Sequence, residues 1–157
     1  MQEVERKFLV LNDDYRKEAY STFQIKQGFL NTDPHRTVRV RLAGDQAQIT
    51  IKGISSDNGT TRFEWEKDIP ISEAESLLHL CELNLIEKKR HLINFMDFVF
   101  EVDEFLGENE GLVIAEIELE DEDQKFIKPN WLGKEVTGDL RYYNSLLAKT
   151  PYRNWKF

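Results

Sequence analysis

Apolar and polar residues alternate with a period of two through most of this chain, the pattern of strands that bury one face. It opens at once, in Glu3-Val4-Glu5-Arg6-Lys7-Phe8-Leu9-Val10, and returns at residues 22–30, 37–42, 46–52, 62–69, 85–93, 97–105 and 113–120. Turn chemistry separates the runs: Asn31-Thr32-Asp33-Pro34, Gly44-Asp45 inside a predicted hairpin, and a polar loop at 55–59. Helical patterns are few. Residues 12–19 predict a short helix or turn. Ser72, with Glu75 three positions on, predicts a capped helix carrying Leu77, Leu78, Leu80 and Cys81 and ending near Asn84. A helix is expected at 121–127, before Pro129, and a last short one at 144–149. Neither repeats nor a linker interrupt residues 1–157, so one domain is expected, an antiparallel sheet or barrel with helices outside.

Sorting the strands by face gives an uneven result. Glu3, Glu5 and Lys7 share a face, as do Arg39 with Arg41, Thr50 with Lys52, Arg62 with Glu64 and Glu66, Lys88 with Arg90, Glu101 with Asp103, and Glu116 with Glu118 and Glu120. The opposite faces carry residues such as Val38, Val40, Ile49, Ile51, Phe63, Trp65, Phe100, Val102, Ala115 and Ile117. A one-sided sheet with a solvated face would give such alternation. A solvated face, however, mixes Thr, Ser, Gln and Lys, whereas this one repeats carboxylates and guanidinium groups. Like charges set side by side on a sheet cost stability without a counter-ion. A sheet closed with its charged face inward would gather these groups into one channel, able to pair phosphates with Arg and Lys and to hold divalent cations with carboxylates.

Composition narrows the reading. The chain has 157 residues, long enough for a core without staples, and a net charge of -8, which argues against a general nucleic-acid coat. A local basic cavity remains compatible with that balance. Cys81 is the only cysteine, so an internal disulfide is impossible and a reducing, cytoplasmic setting is expected. The N-terminus reads as a strand rather than a signal peptide, and no apolar run is long enough to span a bilayer. His35, His79 and His91 lack ligand spacing; Cys81, Trp65, Trp131 and Trp155 read as packing residues.

With these residues in view, the chain resembles the CYTH superfamily, the triphosphate tunnel metalloenzymes. The opening Glu3-x-Glu5-x-Lys7 is similar to the family's signature. Gln27-Gly28-Phe29-Leu30, Val38-Arg39-Val40-Arg41, Thr50-Ile51-Lys52-Gly53, Arg62-x-Glu64-x-Glu66, Glu87-Lys88-x-Arg90, Glu101-x-Asp103 and Ala115-Glu116-x-Glu118 follow in the family's order. The stretch Glu135-Val136-Thr137-x-Asp139-x-Arg141-Tyr142-x-Asn144 resembles the short bacterial branch. Phe29 departs from the Tyr common there. The resemblance implies a mainly β (α+β) fold: a closed eight-stranded antiparallel barrel, a tunnel open at both ends with a charged interior and a few helices outside. It implies a Mg2+- or Mn2+-dependent hydrolase of triphosphate compounds, splitting inorganic tripolyphosphate into pyrophosphate and phosphate.

Carried onto this chain, metal binding falls to Glu3, Glu5, Glu101, Asp103, Glu116 and Glu118, and phosphate binding to Lys7, Arg39, Arg41, Lys52, Arg62, Lys88, Arg90 and Arg141. Glu5, Lys7, Glu64, Lys88 and Asp103 are expected to act in catalysis. Which carboxylate orients the attacking water stays open. So do two alternatives: a nucleoside triphosphatase or class IV adenylate cyclase on the same tunnel, and a binding module for polyphosphate without turnover. The expected partner is a small triphosphate, with a homodimer as the family precedent and neither membrane nor nucleic acid.

Overall fold

A computed structural model describes residues 2–156. Nine strands dominate: β1 (Gln2–Val10), β2 (Ala19–Asn31), β3 (Thr37–Ala43), β4 (Gln46–Lys52), β5 (Thr61–Asp68), β6 (Glu82–Phe95), β7 (Phe98–Phe105), β8 (Val113–Glu118) and β9 (Leu132–Glu135). Their order is β5-β4-β3-β2-β6-β7-β8-β1-β9, and a β5–β1 pairing closes the first eight into an antiparallel barrel. β1 can serve both neighbours because β5 takes its start, through Glu3 opposite Arg62, and β9 its end, through Phe8 opposite Glu135.

Directly paired residues of antiparallel strands share a face. The register therefore carries the charged face around the barrel except at β2, which sets the uncharged Phe23, Ile25, Gln27 and Phe29 opposite Arg90, Lys88, Arg41 and Arg39. Arg39 lies opposite Thr50, Thr50 opposite Glu66, Lys52 opposite Glu64, Glu5 opposite Glu118, Lys7 opposite Glu116, Glu101 opposite Glu116 and Arg90 opposite Asp103. The alternate faces pack outward. Phe8, Tyr15, Phe100, Val102, Ala115, Ile117 and Trp131 form the largest cluster. Arg6 belongs to this outer face: it forks Glu135 at 2.8 and 2.6 Å and lies over the rings of Phe8 and Phe126. Val40, Ala47, Ala74 and Leu78 form another outer cluster beneath helix α2 (Ile71–Leu78).

One end of the barrel is filled. There the inward positions turn apolar: Ile86, Phe105, Ile114 and half-buried Leu9. They pack with Val136, Tyr142, Leu147 and Ala148, so the segment around helix α3 (Asn144–Lys149) sits as a plug. The expectation of a tunnel open at both ends is corrected here.

Three local expectations also change. Helix α2 starts at Ile71 after Pro70, whose φ of -60° suits a helix entry, and no side chain caps it. Ser72 thus lies inside the first turn, and the helix ends at Leu78, with His79 as its C-cap and a turn at 79–80 leading into β6. Residues 121–127 are not helical. Asp121 accepts from the Asp123 amide and Gln124 from the Glu120 amide, bonds that compete with a helix, and the chain then runs on so that Phe126 packs edge-on to Phe8, Phe98 and Phe100. The four-residue strand β9 was not foreshadowed by any alternation long enough to read. Among the described residues no helix is long and apolar enough to cross a membrane.

Candidate active site

The barrel interior holds a cavity lined by six cations (Lys7, Arg39, Arg41, Lys52, Lys88, Arg90), seven carboxylates (Glu3, Glu5, Glu64, Glu66, Glu101, Glu116, Glu118) and Asn144. Every lining residue but one is charged. A second, smaller compartment opens off it toward the plugged end. It shares Glu5, Lys7, Arg39, Lys52 and Asn144, and adds Arg62, Phe29, Tyr143 and the hydroxyls of Thr37, Thr50, Ser55, Thr60, Thr137 and Ser145.

The cations are aimed by carboxylates. Lys7 reaches Glu5 at 2.9 Å and Glu116 at 3.4 Å, and Lys52 reaches Glu3 at 2.8 Å and Glu64 at 3.4 Å. Arg39 donates to Thr50 at 3.1 Å and lies 3.5 Å from Glu66, while its Nε is buried without a partner. Arg90 forks Asp103 and also reaches Glu101 at 2.9 Å, and Lys88 lies 2.8 Å from Asp103. Two arginines are held by neutral groups instead. Arg62 donates to the Gly53 backbone carbonyl and the Thr37 hydroxyl, and Arg41 donates to the side-chain amide oxygen of Gln27 at 2.7 Å.

Charge state follows from this crowding. Burial works against the ionised Glu5 carboxyl, but Lys7 and Lys52 outweigh it and hold its pKa down at about 2. Burial and the nearby Arg39 and Arg90 push Arg41 down to about 9, so its positive charge is poorly compensated. Burial pushes Lys88 down to about 7 against the pull of Asp103, with Arg90 and Arg41 adding to the push. Glu3, Glu101 and Glu118 go the other way. Burial raises all three, and Glu118 is raised further by Glu3, Glu101 and Glu5. Glu118 has no ion-pair partner among the described residues.

Glu118, without a cation partner among those residues, stands with Glu3 and Glu101, each held by one cation, as carboxylate donors of the kind a hard divalent cation takes. No preformed cage of three His, Cys, Asp or Glu ligands exists among the described residues. A hard divalent cation that takes one or two carboxylates and completes its shell with waters and phosphate oxygens needs no such cage.

Most of the residues singled out from the sequence thus meet in one cavity, and Arg62 lies in the adjoining compartment. Two do not join them. Arg141 is exposed, forks Asp139 and lies over Tyr142 and Trp155, outside both compartments. Asp103 is fully buried behind Arg90 and Lys88 and does not line the cavity. Sequence reasoning gave no role to Gln27, Asn144 or Tyr143. Gln27 and Asn144 stand within motifs already quoted, but only strand pairing puts Gln27 opposite Arg41. The Tyr143 ring lies 5.4 Å from the Lys7 ammonium, and its hydroxyl meets Ser55 at 3.2 Å.

A closed barrel whose interior interleaves cations with carboxylates defines a charged-tunnel protein. Comparison with known proteins places it further. The CYTH domain model matches residues 1–150, and the chain belongs to the CYTH domain family. It is 51% identical over 155 residues to an inorganic triphosphatase of Acetivibrio thermocellus, covering 98% of this chain and 97% of that one. It is 36% identical over 152 residues to an inorganic triphosphatase of Nitrosomonas europaea, covering 94% and 97%. Among solved structures, the crystal structure of an inorganic triphosphatase superposes with a TM-score of 0.65 at 34% identity, covering 93% of this chain and 97% of that chain.

Proposed function

We propose that this protein hydrolyses inorganic tripolyphosphate to pyrophosphate and phosphate with the help of Mg2+ or Mn2+. The observation that carries this reading is the central cavity, walled by charge and Asn144 alone. Nucleoside sites need apolar or aromatic surface for the base; the central cavity offers only partners for phosphate and cations, and the rings of Phe29 and Tyr143 lie in the smaller adjoining compartment among hydroxyls.

In this reading Arg39, Arg41 and Lys52 clamp phosphates on one wall, Lys88 and Arg90 on another, and Lys7 between them. Arginine gives two-point recognition of phosphate oxygens and lysine a mobile point charge. Glu3, Glu5, Glu101, Glu116 and Glu118 would hold the metal. A bound Mg2+ or Mn2+ supplies charge neutralisation at the phosphate oxygens. Asp103 does not suit that role, because Arg90 occupies both its oxygens and Lys88 adds to one. It holds two phosphate-facing cations in place instead. Water attacks a terminal phosphorus, the bridging P–O bond breaks, and the electron pair leaves with pyrophosphate. Catalysis of this kind is positioning and electrostatic stabilisation of a charge spread over the transferred group, which the fixed Arg and Lys array favours.

Chromatography of the products formed from tripolyphosphate and from ATP tests the reading. Equal amounts of orthophosphate and pyrophosphate from tripolyphosphate, at a rate well above ATP turnover, are expected. Faster conversion of ATP, to ADP or to a cyclic nucleotide, would move the assignment to a nucleotide enzyme.

A further inference from the structure

Arg41 is a half-buried cation held by an amide. Gln27, itself fully buried on β2, accepts from Arg41 Nε through its Oε1 at 2.7 Å and donates from Nε2 to Asn144 Oδ1 at 3.0 Å. The same Asn144 oxygen accepts from Lys88 Nζ at 3.1 Å. A continuous neutral bridge therefore runs from a cation on β3, through β2, to a cation on β6, and its last member is the first residue of α3. The helix is fixed by Leu147 and Ala148 in the plug, so Asn144 is anchored independently of the two cations.

The chemistry of the bridge is informative. A carboxylate at position 27 could also accept from Arg41, and carboxylates do that work for Lys7, Lys52, Lys88 and Arg90 elsewhere in the cavity. An amide fixes the guanidinium without neutralising it, leaving its other nitrogens and its whole charge for an anion. Gln27 lines neither compartment, so it acts only through its neighbours.

We propose that Gln27 and Asn144 are positioning residues that hold Arg41 and Lys88, like charges on different strands, at a fixed separation, with the Gln27 amide leaving Arg41 uncompensated for binding the phosphates of the substrate. The proposal rests on the triphosphatase reading for the identity of that substrate, and on the hydrogen bonds for the rest.

The test is a comparison of Gln27→Ala, Gln27→Glu, Arg41→Ala and the double variant Gln27→Ala/Arg41→Ala, by steady-state kinetics on tripolyphosphate and by calorimetric binding of tripolyphosphate. Gln27→Glu is expected to raise KM at least tenfold with little change in kcat, because the new carboxylate competes with phosphate for Arg41 in ground and transition states alike. Gln27→Ala is expected to lower kcat/KM about tenfold in the native background and at most about twofold when Arg41 is already absent, since residues that act as one unit are not additive. Equal losses from Gln27→Ala in both backgrounds, or a Gln27→Glu variant with native KM, would overturn the proposal. Thermal melts of each variant separate these results from misfolding. If the native protein binds tripolyphosphate but does not cleave it, the hydrolase reading fails while the binding comparison still decides the bridge.

Discussion

Arg90 and Asp103 meet as a buried fork across β6 and β7, Nε to Oδ1 at 2.7 Å and NH2 to Oδ2 at 2.8 Å. Lys88 adds a third contact at 2.8 Å. One carboxylate thus fixes two cations, and the trio keeps a net positive charge that an anion can complete. Removing the carboxylate leaves both cations buried. Asp103→Ala is expected to cost about 3–5 kcal/mol of stability, the usual penalty for breaking a buried ion pair, and to abolish phosphate release. Urea denaturation beside an activity assay checks this. A loss under about 1 kcal/mol would mean that the fork is not the anchor its geometry indicates.

Lys52 stands between the two compartments, 2.8 Å from Glu3 and 3.4 Å from Glu64. Its truncation removes a phosphate-facing charge and frees two carboxylates to repel the substrate. Lys52→Ala should lower kcat/KM for tripolyphosphate by roughly 100-fold, in line with truncation of one member of a partly buried charge pair at a binding surface. Progress curves at low substrate measure this directly, and a loss below about threefold would remove Lys52 from the binding surface.

Arg62 and Arg141 separate what the sequence suggests from what the fold provides. Both were expected at the phosphates, but only Arg62 lines a compartment; Arg141 is exposed and paired with Asp139. Arg62→Ala should therefore reduce kcat/KM by about tenfold or more, as loss of a charge-assisted phosphate contact does, while Arg141→Ala should leave it unchanged. Parallel assays decide, and the reverse ranking would mean that Arg141 swings into the tunnel when substrate binds.

Outside the barrel, His91 is buried beneath α1 (Tyr15–Glu18). Its Nδ1 meets Thr22, its Nε2 lies 3.0 Å from Glu104, and the Tyr15 ring packs edge-on against it. Burial holds its pKa below the ordinary 6.5, outweighing Glu104 and helped by Lys89. The unfolded chain then binds a proton that the folded one resists, so the stability contribution of neutral His91 is complete above about pH 6.5 and declines as pH falls through the lower, folded-state value. Glu104, held low by Arg16 and Tyr15 against burial, acts in the same direction at still lower pH. Melting temperature should fall between pH 7.5 and 5.5, and His91→Gln should flatten that slope. An unchanged slope in the variant would place the sensitivity elsewhere.

Much of this organisation is legible in the chain because a period-two pattern names the face as well as the strand. Glu3, Glu5, Glu116 and Glu118 could be put on one surface from alternation alone, and the ordered motifs indicated that the surface closes inward. The plug was harder to see. Tyr142, Leu147 and Ala148 are ordinary apolar residues whose partners, Ile86, Phe105 and Ile114, lie far away in sequence. The motif around Asp103 reads as another carboxylate of the set, and only the pairing of Arg90 with Asp103 shows it occupied by cations. Gln27 is uncharged, so the pattern of charged positions does not mark it. The expected helix at 121–127 failed for a local reason, the competition of Asp121 and Gln124 side chains for backbone amides.

The most direct test of the central claim is phosphate release from tripolyphosphate and from ATP, side by side, with Mg2+, with Mn2+ and with EDTA, for the native protein and for Glu5→Gln. Glu5 is a half-buried carboxylate held ionised by Lys7 and Lys52 and facing Glu118 across β1 and β8. The account predicts rapid metal-dependent cleavage of tripolyphosphate, well above that of ATP, abolished by EDTA and by Glu5→Gln. Cleavage that persists in EDTA, or that survives Glu5→Gln at the native rate, would contradict it.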